Sequence, residues 1–344
     1  MKLSHLGTTA LICCLPATSF ALNINLVPAA GMSQDAIDGF QAAADYWESV
    51  LTDNVTVNVD IDFAALGAGV LGSAGSTTQS VSVSDYFAAL GGDATSTIDA
   101  TAVANLPGLS GAGGLTYITQ IYSPAGGGTM VLGTDSDDSG NNRILNLNTS
   151  TAKAVGLFTG GAGDSDASIT FSSSFTWDFD NSDGVDAGHQ DFVGVAIHEL
   201  GHSLGFRSGV DTVDFVMDNP QSLENFRVWS GLDMFRFSAD GVHDLSVGTA
   251  SYFSVDGGTT NLGLFSTGSS NGDGNQASHW KDNLGLGIMD PTANPAGQTN
   301  TVTMLDLQAF DVMGWDMAVP APEPSTGALL LGSAIAMLGF RRRS

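Results

Sequence analysis

"GVAIHELGHSLGF", residues 194–206, sets two histidines four positions apart, with a glutamate directly after the first and a glycine three positions after the second. Asp191 stands where a helix N-cap belongs, and Phe192, Val193, Val195, Ile197 and Leu200 supply the apolar positions of a helix running through the motif. On such a helix His198 and His202 lie one turn apart on the same face, a spacing that lets two imidazoles chelate one zinc ion. The helical period turns Glu199 about 100° away from His198, so its carboxylate can reach a zinc-bound water as a general base without becoming a ligand. With six histidines and four glutamates in 344 residues, this pattern arises by chance on the order of once in a thousand such chains.

A catalytic zinc takes three protein ligands and leaves its fourth position to water, so one more ligand must come from elsewhere. Gly205 fits a left-handed exit from the helix. Ser208 stands three residues beyond it, where a nearby third histidine would fall. Asp211 and Asp214 are close enough in sequence to substitute. Of the distal histidines, His189 immediately precedes the helix and reads as a surface residue, and His243, in SADGVHDLS, sits in a polar turn and is expected to be solvated. His279 differs, because SHWKDNLGLGIMDPT places Met289 ten residues later in a compact turn, Gly287-Ile288-Met289-Asp290-Pro291. The residues alone leave His279 and Asp211 open as the third ligand.

Taken together, these segments resemble the leishmanolysin-like branch of the metzincin zinc proteases. The likeness rests on HExxHxxGF at 198–206, a distal histidine 77 residues after His202, the methionine turn, and a helix ending in Met313-Gly314-Trp315. The resemblance covers residues 191–315 and implies an α+β metzincin-like fold: a mixed twisted sheet with the active-site helix, then a C-terminal lobe of short strands and a final helix. It implies His198, His202 and His279 as zinc ligands, Glu199 as the base, Met289 as the floor beneath the metal, and a protein or peptide substrate. Ser208, in place of the third histidine of the compact metzincin pattern, is the departure from the family at large.

The ends of the chain carry addresses. Met1-Lys2, the apolar stretch TTALICCLPATSFA and the small-residue site Ser19-Phe20-Ala21 read as a secretory signal peptide over 1–21, removed by signal peptidase. Both cysteines, Cys13 and Cys14, fall inside it, so the mature chain has no disulfide framework. At 319–344, Pro322-Glu323-Pro324, an apolar run from Gly327 to Phe340 and Arg341–Arg343 resemble a PEP-CTERM sorting tail. That implies processing by an exosortase-type enzyme, membrane association through a short transmembrane helix, and a final location in the bacterial envelope, at the cell surface or outside the cell.

Between these ends, residues 22–318 read as one catalytic domain with lobes 22–205 and 206–318. Ser33 caps an expected helix reaching Leu51, with Ile37, Phe40, Ala44 and Trp47 on its inner face, and VTVNVDIDF alternates as a strand. Further strands are expected at 129–132, 143–147 and 168–179, and hairpin-forming pieces at MFRF and SYFSVDGGTTNLGLF. The Gly/Ser-rich stretch 67–128 yields only a short helix after Ser84. A last helix opens on a Thr303-to-Asp306 capping box and is expected to bury Met304, Leu307, Phe310 and Met313. DFDNSDGVDAGHQD offers aspartates 178, 180, 183 and 186 either as a Ca2+ loop or as a solvated turn before the helix.

A net charge of −26, from 36 acidic against 10 basic residues, excludes nucleic acid as a partner and favours a soluble exported surface. Three functions fit. A secreted zinc endopeptidase uses the whole motif; a non-proteolytic envelope or biofilm-matrix surface protein keeps the scaffold and its metal; a calcium-dependent adhesin uses the aspartates alone. Glu199 favours the first, since a purely structural zinc closes its site with a fourth residue and needs no base beside it.

Overall fold

The computed structural model describes residues 22–318, so the expected signal peptide and sorting tail lie outside the described residues. The chain opens with β1 (Asn23–Pro28), helix α1 (Gln34–Val50), β2 (Thr56–Ala64) and β3 (Gly72–Ser76). Ser33 caps α1 through its hydroxyl, and α1 buries Ala36, Gly39, Phe40, Ala43, Ala44 and Trp47 on the sheet, with Ile37 half-buried at the margin. In β2 the alternation anticipated from sequence places Val57, Val59 and Ile61 in the core.

The Gly/Ser-rich region then forms β4 (Thr78–Ser82), α2 (Val83–Asp93), α3 (Thr97–Ala104) and a hairpin of β5 (Tyr117–Ser123) with β6 (Thr129–Asp135). Short α4 (Gly140–Arg143) leads into β7 (Ile144–Asn148), which pairs with β4, then α5 (Thr149–Ala154) and β8 (Ala167–Ser172). The main sheet has the order β1-β2-β8-β3, with β1, β2 and β8 parallel and β3 antiparallel at the edge. It is thus a mixed sheet, as expected, although the strand expected over 168–179 ends at Ser172. The chain turns there, and the Trp177 indole N–H donates to the Ser172 carbonyl (2.9 Å) across the turn.

Two short paired strands, β9 (Trp177–Asp178) and β10 (Gln190–Asp191), deliver α6 (Phe192–Ser203), the helix that carries the motif. Beyond it come α7 (Val210–Asp218), a sheet of β11 (Arg236–Ala239), β12 (Val242–His243), β13 (Tyr252–Phe253) and β14 (Gly263–Leu264), and finally α8 (Met304–Val312). The two halves share one hydrophobic core. Trp47 shows how: its ring meets Phe310 of α8 edge-on at 4.6 Å, and its indole N–H donates to the Ile197 carbonyl of α6 at 3.0 Å. Burying that indole binds α1, α6 and α8 into one unit, because its single donor needs a partner inside the core.

Two expectations are corrected. The Thr303–Asp306 capping box forms and Phe310 and Met313 are buried, but Met304 is 67% exposed, since the box turns the first helical position outward. The expectation of a transmembrane helix fails: among the described residues no helix is long and apolar enough to cross a membrane, and the 327–340 run lies outside them.

Candidate metal centre

Helix α6 starts where Asp191 accepts the Gly194 N–H (2.9 Å), while the same carboxylate takes the Asn300 N–H (2.7 Å) and the Asn181 amide (2.8 Å). Phe192 anchors the first turn among Phe40, Phe171, Trp177 and Phe179. The helix ends because Gly205 takes φ +125°, a region that favours glycine, and because any Cβ there would run into the Thr151 hydroxyl. Thr151 donates that hydroxyl to the Leu204 carbonyl (3.1 Å), and the Phe206 N–H closes back on the Gly201 carbonyl (3.1 Å).

His198, His202 and His279 come together on this frame. Nε2 of His202 lies 3.1 Å from Nε2 of His198 and 3.1 Å from Nε2 of His279. Each ring's other nitrogen faces a backbone carbonyl: His198 Nδ1 with Ile288 O (2.7 Å), His202 Nδ1 with Phe206 O (2.7 Å) and His279 Nδ1 with Gln276 O (3.2 Å). A carbonyl only accepts, so each Nδ1 carries the proton and each Nε2 presents a lone pair. Three lone pairs converge with no proton among them, an arrangement that a cation satisfies. Nitrogens bound at ~2.05 Å around a tetrahedral zinc sit about 3.3 Å apart, close to the spacing found. Burial lowers the basicity of all three rings, with His202 brought down to about 3, so they remain neutral ligands at ordinary pH.

Glu199 lies beside this cluster rather than in it. Its side chain is buried, and burial alone pushes its carboxyl up to about 8. The edge strand comes close enough that a Cβ on Gly72 would sit 2.7 Å from Glu199 Oε1 and 3.0 Å from its Cγ. Glycine at position 72 is what gives the carboxylate its room. The three histidines and Glu199 open into a cleft of about 1320 Å³, walled by residues 69–74, the loop before the edge strand and its first residues, on one side and by the Gly285–Pro295 region on the other.

Two aspartates, Asp306 buried and Asp211 half-buried, support the distal half of the site. Asp306, read from sequence only as part of a capping box, accepts the Ile288 N–H (2.9 Å), the Met289 N–H (3.2 Å) and the Trp280 indole N–H (2.8 Å). It thereby fixes the methionine turn and the residue after His279. Met289 is fully buried against α6, where a Cβ on Gly201 would fall 2.6 Å from its sulfur. Asp211, the alternative third ligand, is not among the groups that converge. Its oxygens take the Ala277 N–H (2.6 Å), the Ser278 N–H (3.1 Å) and the Ser278 hydroxyl. Asp214 instead holds the 269–271 turn, accepting the Ser270 and Asn271 N–H groups (both 2.8 Å).

The remaining candidates separate from the site. His189 rests on the turn before α6, near the Ala187 carbonyl. His243, expected to be solvated, is buried at 6% exposure, its Nε2 donating to the Asp233 carbonyl (2.8 Å) beneath Tyr117 and Phe237. Its turn-like local sequence conceals burial created by Phe237 across the β11–β12 turn and by the distant Tyr117. The aspartates at 178–186 do not gather as a Ca2+ loop: Asp178 caps the Asp180 and Asp186 N–H groups, and Asp180 caps Ser182. A different oxygen cluster, Asp135, Asp137 and Glu224, does converge, with the chemistry that suits a hard cation. Asp135 is already satisfied there by Tyr117, Asn141 and Asn142.

No family model matches the chain, nor does any curated protein or solved structure.

Proposed function

We propose that the chain is a zinc-dependent endopeptidase of metzincin type, exported through its N-terminal segment to the cell envelope or beyond. The observation that carries this reading is the meeting of three histidine Nε2 lone pairs with an uncommitted glutamate in one open cleft. The donor set is all-nitrogen, neutral and held by backbone carbonyls, which suits zinc better than calcium or magnesium.

Zinc held by His198, His202 and His279 would polarise the scissile carbonyl and lower the pKa of its water toward ~7. The protein supplies the rest. Glu199 takes the proton from the attacking water and returns it to the leaving amine. Its buried surroundings make it a stronger base than a surface carboxylate, and a cation beside it offsets part of the rise caused by burial. Among the described residues strand β3 pairs only with β8, which leaves its other edge, along the cleft, to take an extended peptide as an added strand. No tyrosine lines the cleft, so no tyrosine hydroxyl among the described residues reaches the developing oxyanion.

The test is casein hydrolysis by the purified mature chain beside Glu199→Ala. Hydrolysis lost in the variant at unchanged zinc content supports the reading. Zinc binding with no hydrolysis by the parent chain would instead assign it to the non-proteolytic scaffold class.

A further inference from the structure

His279 is delivered by a strap, residues 276–280, with no helix or long strand to hold it. What holds it is a buried polar clamp. On one side Asp211, in the first turn of α7, binds the Ala277 and Ser278 N–H groups and the Ser278 hydroxyl. Ser278 Oγ in turn accepts the N–H of Ser208 (2.9 Å). On the other side Arg236, 1% exposed, donates to the Ala277 carbonyl (3.3 Å) and the Ser266 carbonyl (2.6 Å), with Phe265 under its guanidinium at 4.7 Å. Ser266 closes the ring by giving its N–H to the His279 carbonyl (3.0 Å) and its hydroxyl to the Trp280 carbonyl (2.8 Å).

We propose that Asp211, backed by Arg236, is the positioning residue of the metal centre: it fixes the 277–278 backbone so that the third histidine meets the two on the helix. Asp211 is nine residues beyond His202, in the element that directly follows the motif, so the helical half of the site itself aligns the distal half. Ser208, standing where a compact site would carry its third histidine, contributes to the clamp through its backbone. Two charged groups occur here because each carries a structural duty: the carboxylate accepts N–H groups, the guanidinium donates to carbonyls, and each offsets part of the other's desolvation. The inference rests on the three histidines forming a metal centre, but not on that centre hydrolysing peptides.

The test uses Asp211→Asn and Ser278→Ala in the mature chain, with His279→Ala as reference. Zinc affinity is read by competition with a chromophoric chelator, ligand geometry from the visible spectrum of the Co2+-loaded protein, and stability from the melting temperature of the metal-free protein. Removing a group that orients a ligand typically lowers metal affinity 10- to 100-fold. Asp211→Asn is expected to fall in that range and to alter the Co2+ spectrum. Ser278→Ala, which removes the hydroxyl's bonds to Asp211 and to the Ser208 N–H and leaves both backbone contacts of Asp211, is expected to lose several-fold and keeps the test usable should Asp211→Asn not fold. Unchanged affinity and spectrum in both variants, or a lowered metal-free melting temperature with unchanged affinity, overturns the positioning role. Should His279→Ala bind zinc as tightly as the parent, the metal-centre reading itself fails, a separate outcome.

Discussion

Replacing Gly72 by alanine adds one methyl group on the edge strand, and the structure says where it must go. The new Cβ would lie 2.7 Å from Glu199 Oε1, 3.0 Å from Cγ and 3.1 Å from Cδ. Ordinary contact begins near 3.4 Å, so the carboxyl end must retreat by about 0.7 Å. Gly72 does not adopt a positive φ, so the backbone accepts alanine without strain. The stability change should stay within about 1–2 kcal/mol, because the end of one side chain yields. Function is less forgiving, since a displacement of ~1 Å in a reacting group costs on the order of 100-fold. We expect kcat on a quenched fluorescent peptide to fall 10- to 100-fold at unchanged zinc content. Gly75→Ala serves as control, because its Cβ would make an ordinary 3.4 Å contact with Ser168 Oγ. Full activity in Gly72→Ala, or a loss matched by Gly75→Ala, would refute the placement of Glu199.

Further outcomes follow from the same packing. Gly201→Ala forces Met289 from its seat and should cost about 1–3 kcal/mol; in a double-mutant cycle with Met289→Ala a large part of that cost should vanish, and strict additivity in denaturant titrations would show that the two do not touch. Burial, joined by the neighbouring Asp316 carboxylate, pushes Asp53 up to about 7, and burial raises Asp93 and Asp311 to about 6. These carboxyls hold protons more tightly in the folded chain, so the stability they contribute is complete below about pH 4 and is lost as pH rises through 6–7. Asp53 alone accounts for on the order of 2–4 kcal/mol. The depressed buried histidines act in the opposite sense but equally in both proteins, so between pH 5 and pH 8 the metal-free parent should lose several degrees of melting temperature relative to Asp53→Asn; an equal pH dependence in the variant would remove Asp53 as a contributor. Chelation should destabilise the protein, by ~4 kcal/mol if zinc had been present at a thousand times its Kd. A melting temperature indifferent to chelator would argue against a bound metal.

The motif helix, its cap at Asp191 and its glycine exit were legible because they are local: each is written within a dozen residues. His279 was legible through its distance from Met289. What escaped the sequence was long-range. Gly72 reads as one glycine in a Gly/Ser-rich stretch, and its importance exists only once β3 lies along α6. Asp211 looked like a spare ligand because sequence shows a carboxylate's nearness to the motif but not which N–H groups will claim it. Asp306 showed its helix-capping half and hid its hold on the methionine turn. Strand β6 was anticipated at 129–132, but its partner β5 and the burial of His243 went unread for the same reason, since the contacts of Trp229 with Tyr117 and of Tyr117 with His243 join distant parts of the chain.

The account stands most directly on zinc stoichiometry measured beside peptide hydrolysis for the parent chain, Glu199→Ala and His279→Ala. It predicts one zinc per chain with hydrolysis in the parent, one zinc without hydrolysis in Glu199→Ala, and neither in His279→Ala. Full zinc occupancy and full activity in His279→Ala would contradict it.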